Sequence, residues 1–372
     1  MVGSARPLVL LAAGGTGGHL FPAEALSVAL ADRGVRIHLA TDARATRYGA
    51  QFPAEALHVI RSETVRSRNP FALAKTAAIL VLGTAQAWLL LGRLRPVAVV
   101  GFGGYPTVPP VYAATLRRIP TIIHDANAVI GRANRLLSAR VSAIATTFPA
   151  IVDGQPGLAA KAIHTGNPVR PAVVWAAVKP YVVPEPQGPL RLLVIGGSQG
   201  ARVMADIVPE AIALLEPHVR RRLALVQQAR EEDRARVSAA YERLAVTAEI
   251  APFFPDLPAR MAEAHLVISR SGASTVAELA AIGPPSILVP LPGALDQDQL
   301  ANATVLQKAG GAILLTQDVF TADRLAQAIA ALSVEPDRLA AMARAAKAAG
   351  STDAAERLAD LVMKVAGLVR ME

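Results

Sequence analysis

The chain repeats one local pattern twice: a short apolar run, a glycine-rich turn and then a helical stretch. The first copy places residues 8–11 before the turn at 14–18, and the second places residues 192–195 before the turn at 196–200. A buried strand that leads through a glycine turn into a helix is typical of the βα units of parallel sheets. The repetition therefore predicts an α/β fold with two Rossmann-like domains in tandem.

Further apolar runs of strand length continue this alternation in both halves, at 37–40, 98–100, 121–123, 144–146, 223–226, 266–269 and 286–290. Six prolines interrupt the stretch 168–189, which has little periodicity and is therefore typical of an interdomain linker. We predict an N-terminal domain at 1–166, a linker at 167–189 and a C-terminal domain at 190–351. Residues 352–372 carry apolar side chains at helical spacing, and we expect this helix to pack back on the first domain.

Composition narrows the classes of ligand. The 372 residues carry a formal charge of +9, with 52% hydrophobic and only 4% aromatic residues. The positive charge attracts anions, but few aromatic rings are present to stack nucleic-acid bases. Phosphorylated substrates or anionic lipids are favoured over nucleic acid. Cysteine is absent, so disulfides and thiolate metal sites are excluded.

Three glycine-rich turns, at 14–18, 101–106 and 196–200, follow predicted strands. Such turns let backbone N–H groups approach a phosphate at a helix N-terminus. No glycine turn is followed by Lys and then Ser or Thr, so a P-loop is excluded. A nicotinamide-dependent oxidoreductase stays an alternative. Gly15 and Gly17 match the first two glycines of a dinucleotide-binding fingerprint, but Leu20 stands in the place of the third. Asp42 could imitate the acidic residue that binds the ribose in such enzymes.

Taken in order, residues 14–19, 103–105, 124–127, 166–170, 196–201, 270–273 and 299–302 resemble the MurG-type undecaprenyl-diphospho-muramoylpentapeptide N-acetylglucosaminyltransferases of peptidoglycan synthesis. The resemblance spans nearly the whole chain. It implies the GT-B architecture, in which two Rossmann-like domains face each other across a cleft. It also implies an inverting transfer of N-acetylglucosamine from UDP-N-acetylglucosamine to the C4 hydroxyl of the muramoyl sugar of lipid I, which gives lipid II, with no cofactor and no protein-bound metal.

The resemblance also assigns the donor-binding residues. Glu278 would bind the ribose hydroxyls, Ser198 and Arg170 the diphosphate, and Phe254 the uracil. Residues expected at UDP-N-acetylglucosamine are Thr16, Gly17, Gly18, Asn127, Arg170, Ser198, Phe254, Ala273, Ser274, Thr275, Glu278 and Gln299. The alternatives without a role in ligand binding are a capping box from Thr275 to Glu278, a solvated linker cation at Arg170 and a turn residue at Asn127.

The acceptor hydroxyl must lose a proton, and His19 and Asp125 are the candidate catalytic bases. His19 could instead bond a phosphate or cap its loop. Asp125 stands where the resembled family has glutamate, and Ala126 stands where it has glutamine, so the reach of the carboxylate is shorter and an amide is lost.

The resemblance places the acceptor and its diphosphate at the loops of Gly14, Gly15, Gly103, Gly104 and Tyr105. Asp296-Gln297-Asp298 resembles a D-x-D metal site, but the resembled family uses this loop for the donor.

Residues 76–91 carry no charge. At 1.5 Å per residue the run spans about 24 Å, short of the roughly 30 Å of a bilayer core, so an interfacial or buried helix is predicted instead of a membrane span. Its basic flanks, Arg61, Arg66, Arg68, Lys75, Arg93 and Arg95 against Glu63, favour anionic lipid. The resemblance implies docking on the inner leaflet, at the cytoplasmic face of the membrane, and other cell-wall synthesis proteins as partners.

Two further functional alternatives remain at this point. One is another UDP-sugar transferase of GT-B type that acts on a different glycolipid. The other is a catalytically silent nucleotide-sugar-binding protein of the membrane machinery. Both would keep the predicted fold and the donor site, so they differ from the leading hypothesis in the acceptor or in turnover.

Overall fold

The computed structural model describes residues 6–14, 17–43, 52–64, 69–149, 152, 155–197, 200–293 and 298–369. The chain forms two compact units. The first comprises Met1–Arg170 together with Asp353–Glu372, and the second comprises Pro171–Thr352. The predicted α/β class with two Rossmann-like domains is confirmed, since each unit is built on a parallel sheet flanked by helices.

The first unit contains a seven-stranded parallel sheet in the order β3-β2-β1-β4-β5-β6-β7. Its strands are β1 (Leu8–Ala12), β2 (Arg36–Thr41), β3 (Ala56–Val59), β4 (Ala98–Gly101), β5 (Thr121–Asp125), β6 (Ala143–Thr146) and β7 (Ala162–His164). Its first five helices are α1 (Gly17–Ala31), α2 (Pro70–Leu94), α3 (Val108–Leu116), α4 (Arg132–Ser138) and α5 (Pro156–Ala159), with a 3-10 turn at Tyr105–Thr107.

Strand β1 is buried on both faces, as its continuous apolar sequence predicts. Val9 and Leu11 point into one hydrophobic cluster with Leu26 of α1. Leu10 and Ala12 point into a second cluster on the opposite face, together with residues of α2, α3 and α4. Helices therefore cover both sides of the sheet, which leaves its carboxyl edge as the place for polar chemistry.

Helix α2 lies on the surface of the first unit. It has 25 residues, roughly 37 Å at 1.5 Å per residue, so the expectation of a short helix is wrong. Of the two predicted alternatives, an interfacial or a buried helix, the buried one is wrong, since only Thr76, Gly83, Ala87 and Leu91 are buried. By length and composition α2 could cross a membrane, although only 17% of its most apolar window is buried in the unit and one such helix does not establish a span.

Helix α2 is fixed to the chain that follows edge strand β3. The Gln86 side chain donates to Val59 O at 2.9 Å and accepts from Arg61 N at 3.1 Å. A Cβ on Gly83 would lie 2.0 Å from Arg61 O, so only glycine allows this approach. Large apolar side chains on the outer face, such as Phe71 (87% exposed) and Val81 (67% exposed), remain in solvent.

The second unit contains a six-stranded parallel sheet in the order β10-β9-β8-β11-β12-β13. Its strands are β8 (Leu190–Ile195), β9 (Leu223–Gln228), β10 (Thr247–Ala251), β11 (Leu266–Ser269), β12 (Ser286–Leu288) and β13 (Ala312–Leu314). Its helices are α6 (Pro171–Ala177), α7 (Arg202–Leu214), α8 (Pro217–Arg220), α9 (Glu231–Arg243), α10 (Leu257–Glu263), α11 (Ala273–Ile282), α12 (Asp298–Lys308), α13 (Ala322–Ser333) and α14 (Pro336–Ala348).

The last helix, α15 (Ala354–Val365), belongs to the first unit. Leu358 and Val362 are fully buried in the same cluster as Val9 and Leu11. Arg33, in the turn that follows α1, pairs with Glu356 and Asp360 of α15, at 2.8 Å in each case. Because these ion pairs are largely solvent-exposed, the apolar contacts supply most of the attachment.

Candidate functional site

Each sheet has a point at which the chain changes direction, and the predicted glycine turns lie there. In the first unit the chain leaves β1 toward β2 and returns on the other side of β1 as β4. Loops that diverge in this way leave a crevice beyond the carboxyl ends of the strands, where α/β proteins bind their ligands. Gly14, Gly17 and Gly18 follow β1, and Gly103 and Gly104 follow β4. Gly15 and Thr16 lie outside the described residues.

His19, in the first turn of α1, lies against the backbone of the second glycine turn. A Cβ on Gly104 would lie 3.2 Å from His19 Cε1, and a Cβ on Gly103 would lie 3.4 Å from His19 Cδ2. Both glycines also have a positive φ, 84° at Gly103 and 72° at Gly104, which residues with a side chain rarely adopt. The structure thus brings the half-buried His19 imidazole together with Gly103 and Gly104 at the crevice.

Thr107 links the two loops of this crevice. Its hydroxyl donates to Gly103 O at 2.6 Å, and Ala12 O lies within hydrogen-bond distance at 3.1 Å. Thr107 closes the 3-10 turn that begins at Tyr105, a half-buried residue. The loops after β1 and β4 are therefore held in a fixed relation by a fully buried hydroxyl.

Asp125, at the end of β5, organises the loop that follows it. Its Oδ1 accepts from Asn127 N at 3.2 Å, and its Oδ2 accepts from Gly131 N at 2.8 Å and from Asn134 Nδ2 at 3.0 Å. The carboxylate is 2% exposed at the residue level. These bonds fix the half-buried Asn127 at the carboxyl edge of the sheet. Asn134, which also donates to His124 O at 2.9 Å, was not singled out by the sequence.

His124 is fully buried next to this loop. Its Nε2 bonds Gly166 O at 3.0 Å, and its ring lies 5.7 Å from the Phe102 ring. Burial lowers the pKa of His124 from 6.5 to about 4, against the opposing effect of the Gly166 carbonyl. The imidazole is therefore neutral near pH 7, and its role is to hold Gly166, which has a φ of 81°.

Arg170 is the last residue of the first unit and lies on α1. Its guanidinium stacks on the Phe21 ring at 4.0 Å, a cation–π contact. Burial raises the pKa of the nearby Glu24 carboxyl, while the charge of Arg170 lowers it. Arg170 is therefore a half-buried residue anchored on α1, and the alternative of a solvated linker cation is wrong.

The second unit repeats the change of direction between β8 and β11. Gly196 follows β8, and a Cβ there would lie 2.1 Å from Ala201 N; Gly197 and Gly200 have φ of 84° and 66°. Gln228 accepts from Gly196 N at 2.9 Å and so ties this turn to β9. Ser198 lies outside the described residues.

Helix α11 starts at the same crevice, directly after β11. Gly272 is its N-cap, so Ala273, Ser274 and Thr275 form its first turn. The positive end of the helix dipole and the N–H groups of that turn face the carboxyl edge of the sheet. This arrangement suits an anionic group such as a diphosphate.

Glu278 lies one turn further along α11 and is 5% exposed. Spacings of four and three residues place it on the same side of the helix as Ser274 and Thr275. Thr275 is the third residue within the helix and therefore cannot be the cap residue of a capping box. The capping-box alternative for Glu278 is wrong.

Gln299 and Asn302 of α12 brace the loops around this helix start. Ser271 Oγ donates to Gln299 O at 2.8 Å, and Asn302 Nδ2 donates to Ser271 O at 3.3 Å. The side-chain oxygen of Gln299 accepts from Leu291 N at 3.1 Å. Gln299 therefore holds the loop after β12 with its side-chain oxygen. Asp296 and Gln297 lie outside the described residues.

Arg270 is a buried arginine below this loop that the sequence did not single out as a separate residue. Its Nη1 donates to Val289 O at 3.1 Å and Pro290 O at 2.9 Å, and its Nη2 donates to Gln317 Oε1 at 2.6 Å. Burial lowers the pKa of Arg270. All of these acceptors are neutral, so Arg270 holds the loop after β12 through hydrogen bonds and not through an ion pair.

Phe254, expected beside the uracil, is buried under Arg260, whose guanidinium lies 4.5 Å from the ring. Glu249 accepts two hydrogen bonds from Arg260, at 2.6 and 2.8 Å, and Asp256 accepts a third at 2.8 Å. The neighbouring Phe253 is exposed. The structure thus separates the pair into one ring in the interior and one in solvent.

The comparisons with known proteins cover both units. The model of the glycosyltransferase family 28 N-terminal domain matches residues 9–146, and that of the family's C-terminal domain matches residues 191–358. The chain is similar to a protein from Bradyrhizobium sp. (strain ORS 278) named UDP-N-acetylglucosamine--N-acetylmuramyl-(pentapeptide) pyrophosphoryl-undecaprenol N-acetylglucosamine transferase, with 65% identity over 98% of this chain and 100% of the relative. A protein of the same name from Rhodopseudomonas palustris (strain BisA53) is 64% identical over 97% of each chain.

Among solved structures, the crystal structure of Acinetobacter baumannii MurG is similar in fold. It has a TM-score of 0.77 and 30% sequence identity, and the match covers 96% of this chain and 100% of that one. The matches extend over both sheets and both glycine-lined crevices. They are therefore not limited to one domain or one motif.

Proposed function

The chain belongs to glycosyltransferase family 28, and on this premise we propose that it transfers N-acetylglucosamine from UDP-N-acetylglucosamine to lipid I, which gives lipid II. The observation that carries the proposal is the 65% identity, over the full length of the relative, to a transferase of that name. Membership in a glycosyltransferase family excludes the nicotinamide oxidoreductase alternative. Consistently, Leu20, in the place of the third glycine of a dinucleotide fingerprint, is a buried core residue.

The second unit supplies the donor site in this proposal. The first turn of α11 and the turn at 196–200 bind the diphosphate of UDP through N–H groups and the helix dipole. Glu278 accepts hydrogen bonds from the two ribose hydroxyls, which suits a carboxylate held on the same side of the helix. Ser198 contributes to the diphosphate site, and Gln299 contacts the donor with its side-chain amide. Phe254 supports the uracil site.

The first unit supplies the acceptor site and the base. His19 is the better candidate of the two predicted bases, because its imidazole lies against Gly103 and Gly104 at the crevice. Asp125 is occupied by two backbone N–H groups and by Asn134, so it positions Asn127 instead of removing a proton. Arg170, anchored on Phe21, supplies positive charge for a diphosphate.

The reaction is a single displacement with inversion. The C4 hydroxyl oxygen of the muramoyl sugar attacks C1 of N-acetylglucosamine, and its proton passes to His19. The bond between C1 and the β-phosphate oxygen breaks, and its electron pair leaves with UDP. Fixed N–H groups and cations stabilise the negative charge that develops on that oxygen. The step needs no redox partner, and a metal ion is not assigned to it.

Helix α2 supplies the contact with the membrane. Its outer apolar face is exposed. Lys75, Arg93 and Arg95 lie near its two ends, and Arg61 lies beside Gly83 and Gln86. An apolar face with basic flanks binds an anionic membrane surface. We place the protein at the cytoplasmic face of the inner membrane, where anionic lipids and lipid I are its partners, together with other cell-wall synthesis proteins. Arg66 and Arg68 lie outside the described residues.

A transfer assay tests the proposal. The purified protein is incubated with radiolabelled UDP-N-acetylglucosamine and a short-chain lipid I analogue, with and without EDTA. We expect label to move to the lipid in both cases. A parallel reaction with a glycolipid that lacks the muramoyl sugar should give no transfer. Transfer to that glycolipid alone would replace the proposed acceptor, and UDP binding without any transfer would leave a silent binding protein.

A further inference from the structure

A groove of about 550 Å³ lies in the second unit, between the chain that follows α6 and helix α14. Its volume falls within the roughly 300–1,000 Å³ of small-molecule sites. None of the residues that the donor proposal uses lines it. The groove is therefore a separate feature from the crevice at β8 and β11.

The groove combines apolar walls with positive charge. Val178, Val183, Ile282 and Ala343 are among its apolar lining residues. Val178 is 81% exposed, so apolar surface that a ligand could cover is in contact with water. Removing such surface from water is favourable for the aliphatic part of a ligand.

Three cations line the groove, Lys179, Arg344 and Lys347, and its described lining contains no acidic residue. Lys347 donates to the carbonyl oxygens of Ala177 and Ile282, the last residues of α6 and α11. The partial negative charges of these two helix ends offset its charge. Lys179 lies 3.3 Å from Glu263 and is neutralised by it.

Arg344 is the third cation of the groove, and its charge is not offset in the way that those of Lys179 and Lys347 are. No carboxylate of the described part of the chain lies within ion-pair distance of its guanidinium, and its side chain is exposed. Arg344 and Lys347 are three residues apart on α14 and therefore share one side of the helix. A guanidinium in this position can bind a carboxylate or phosphate through two parallel hydrogen bonds.

We infer that this groove binds a small anionic amphiphile, with the anionic head on Arg344 and the aliphatic body on the exposed side chains of Val178 and Val183. The positive charge of Arg344 favours a negatively charged head group, and the exposed apolar wall favours an aliphatic body. A free alkyl phosphate or carboxylate and the head of an anionic lipid share this chemistry.

Calorimetric titration of the purified full-length protein with octyl phosphate tests the inference. Octanol, which has only the aliphatic part, and inorganic phosphate, which has only the anionic head, are the half-ligands for comparison. Octyl phosphate should bind, and each half-ligand should bind at least tenfold more weakly. Arg344→Met should weaken octyl phosphate binding at least tenfold, since a hydrogen bond to a charged group is lost. Arg338→Met on the same helix, whose arginine pairs with Glu335 at 2.9 Å, is the matched control and should bind like the wild type.

A second variant probes the apolar wall. Val178→Asp places a negative charge at an exposed position, so it folds and should repel the anionic head. Equal affinity of the wild type, Arg344→Met and Val178→Asp would overturn the inference, as would octanol binding as tightly as octyl phosphate. Phosphatidylglycerol vesicles then identify the source: vesicle binding that Arg344→Met weakens assigns a lipid head, and vesicle binding that it leaves unchanged assigns a free amphiphile. These titrations contain no UDP-N-acetylglucosamine, so their outcome does not depend on the transfer reaction.

Discussion

Acidification should destabilise the first unit through His124. This side chain is fully buried and has a pKa of about 4 in the native state, compared with an ordinary value of 6.5. Between these two values the unfolded chain carries the proton and the native chain does not. The unfolded state therefore binds more protons, and the free energy of unfolding falls as the pH falls through this window.

The size of the effect follows from the two pKa values. Each pKa unit corresponds to about 1.4 kcal/mol, so the full window is worth about 3 kcal/mol. From neutral pH to pH ~4.5, roughly 2.5 kcal/mol of that should be lost. Relative to a total stability of about 5–15 kcal/mol for an ordinary domain, this loss is measurable.

The assay is urea unfolding followed by tryptophan fluorescence at several pH values. The chain has two tryptophans, Trp88 in α2 of the first unit and the 75% exposed Trp175 of the second. In a Trp175→Phe background Trp88 alone reports the first unit, which separates His124 from the buried His265 of the second unit, whose pKa is also lowered to about 4.

His124→Gln supplies the comparison, because glutamine can still donate to the Gly166 carbonyl but does not titrate. It should be less stable than the parent at neutral pH and should lose about 2.5 kcal/mol less on acidification. Parallel pH dependences for parent and variant would refute the argument, since the buried imidazole would then contribute no proton linkage.

Three further predictions concern the site and the packing. His19→Ala should lower kcat by about 10²–10⁴-fold while the Kd of UDP in a calorimetric titration stays unchanged; normal turnover would eliminate His19 as the base. Glu278→Gln should weaken UDP binding about tenfold or more, because a hydrogen bond to a charged carboxylate is replaced, and unchanged affinity would contradict the ribose role. Leu358→Ala should cost about 2–5 kcal/mol of unfolding free energy measured in urea, since Leu358 is fully buried; the exposed Lys364→Ala on the same helix is the control, and equal effects would contradict the packing of α15.

The sequence predicted the central strands and missed the edges of both sheets. Strands β3, β7, β10 and β13 were not predicted, and each lies at the edge of its sheet. Central strands of a parallel sheet are buried on both faces and read as continuous apolar runs. Edge strands are partly solvated: β3 and β10 alternate between exposed and half-buried residues. His58 in β3 and Thr247 and Glu249 in β10 interrupt the apolar signal of those two strands. Strand β13 is apolar but only three residues long, so its sequence signal is weak.

In helix α2 the local sequence signals mark the start of the helix but not its end. Its start was readable, because the Asn69 side chain accepts from Phe71 N at 2.9 Å and Pro70 is the first helical residue, as helix starts commonly show. Its end was not, since Arg95 adopts a φ of 48° where glycine is usual. The uncharged run at 76–91 therefore understated the helix length.

The candidate site was predicted in its loops but not in its supports. Glycine turns after strands can be found from spacing alone, as at 14–18 and 196–200. Asn134 and Arg270 act through contacts with residues distant in sequence, such as the carbonyl of Val289, and their roles need the folded chain. The capping-box alternative at Glu278 failed for the same reason: the pattern fits, but the helix begins at Ala273.

The most direct test of the proposed function is the structure of the product. A lipid I analogue and UDP-N-acetylglucosamine are incubated with the protein, and the purified glycolipid is analysed by NMR. We predict N-acetylglucosamine in the β configuration on O4 of the muramoyl sugar, as a single inverting displacement at C1 requires. An α-linked sugar, attachment at another hydroxyl or an unchanged acceptor would contradict the proposed transfer.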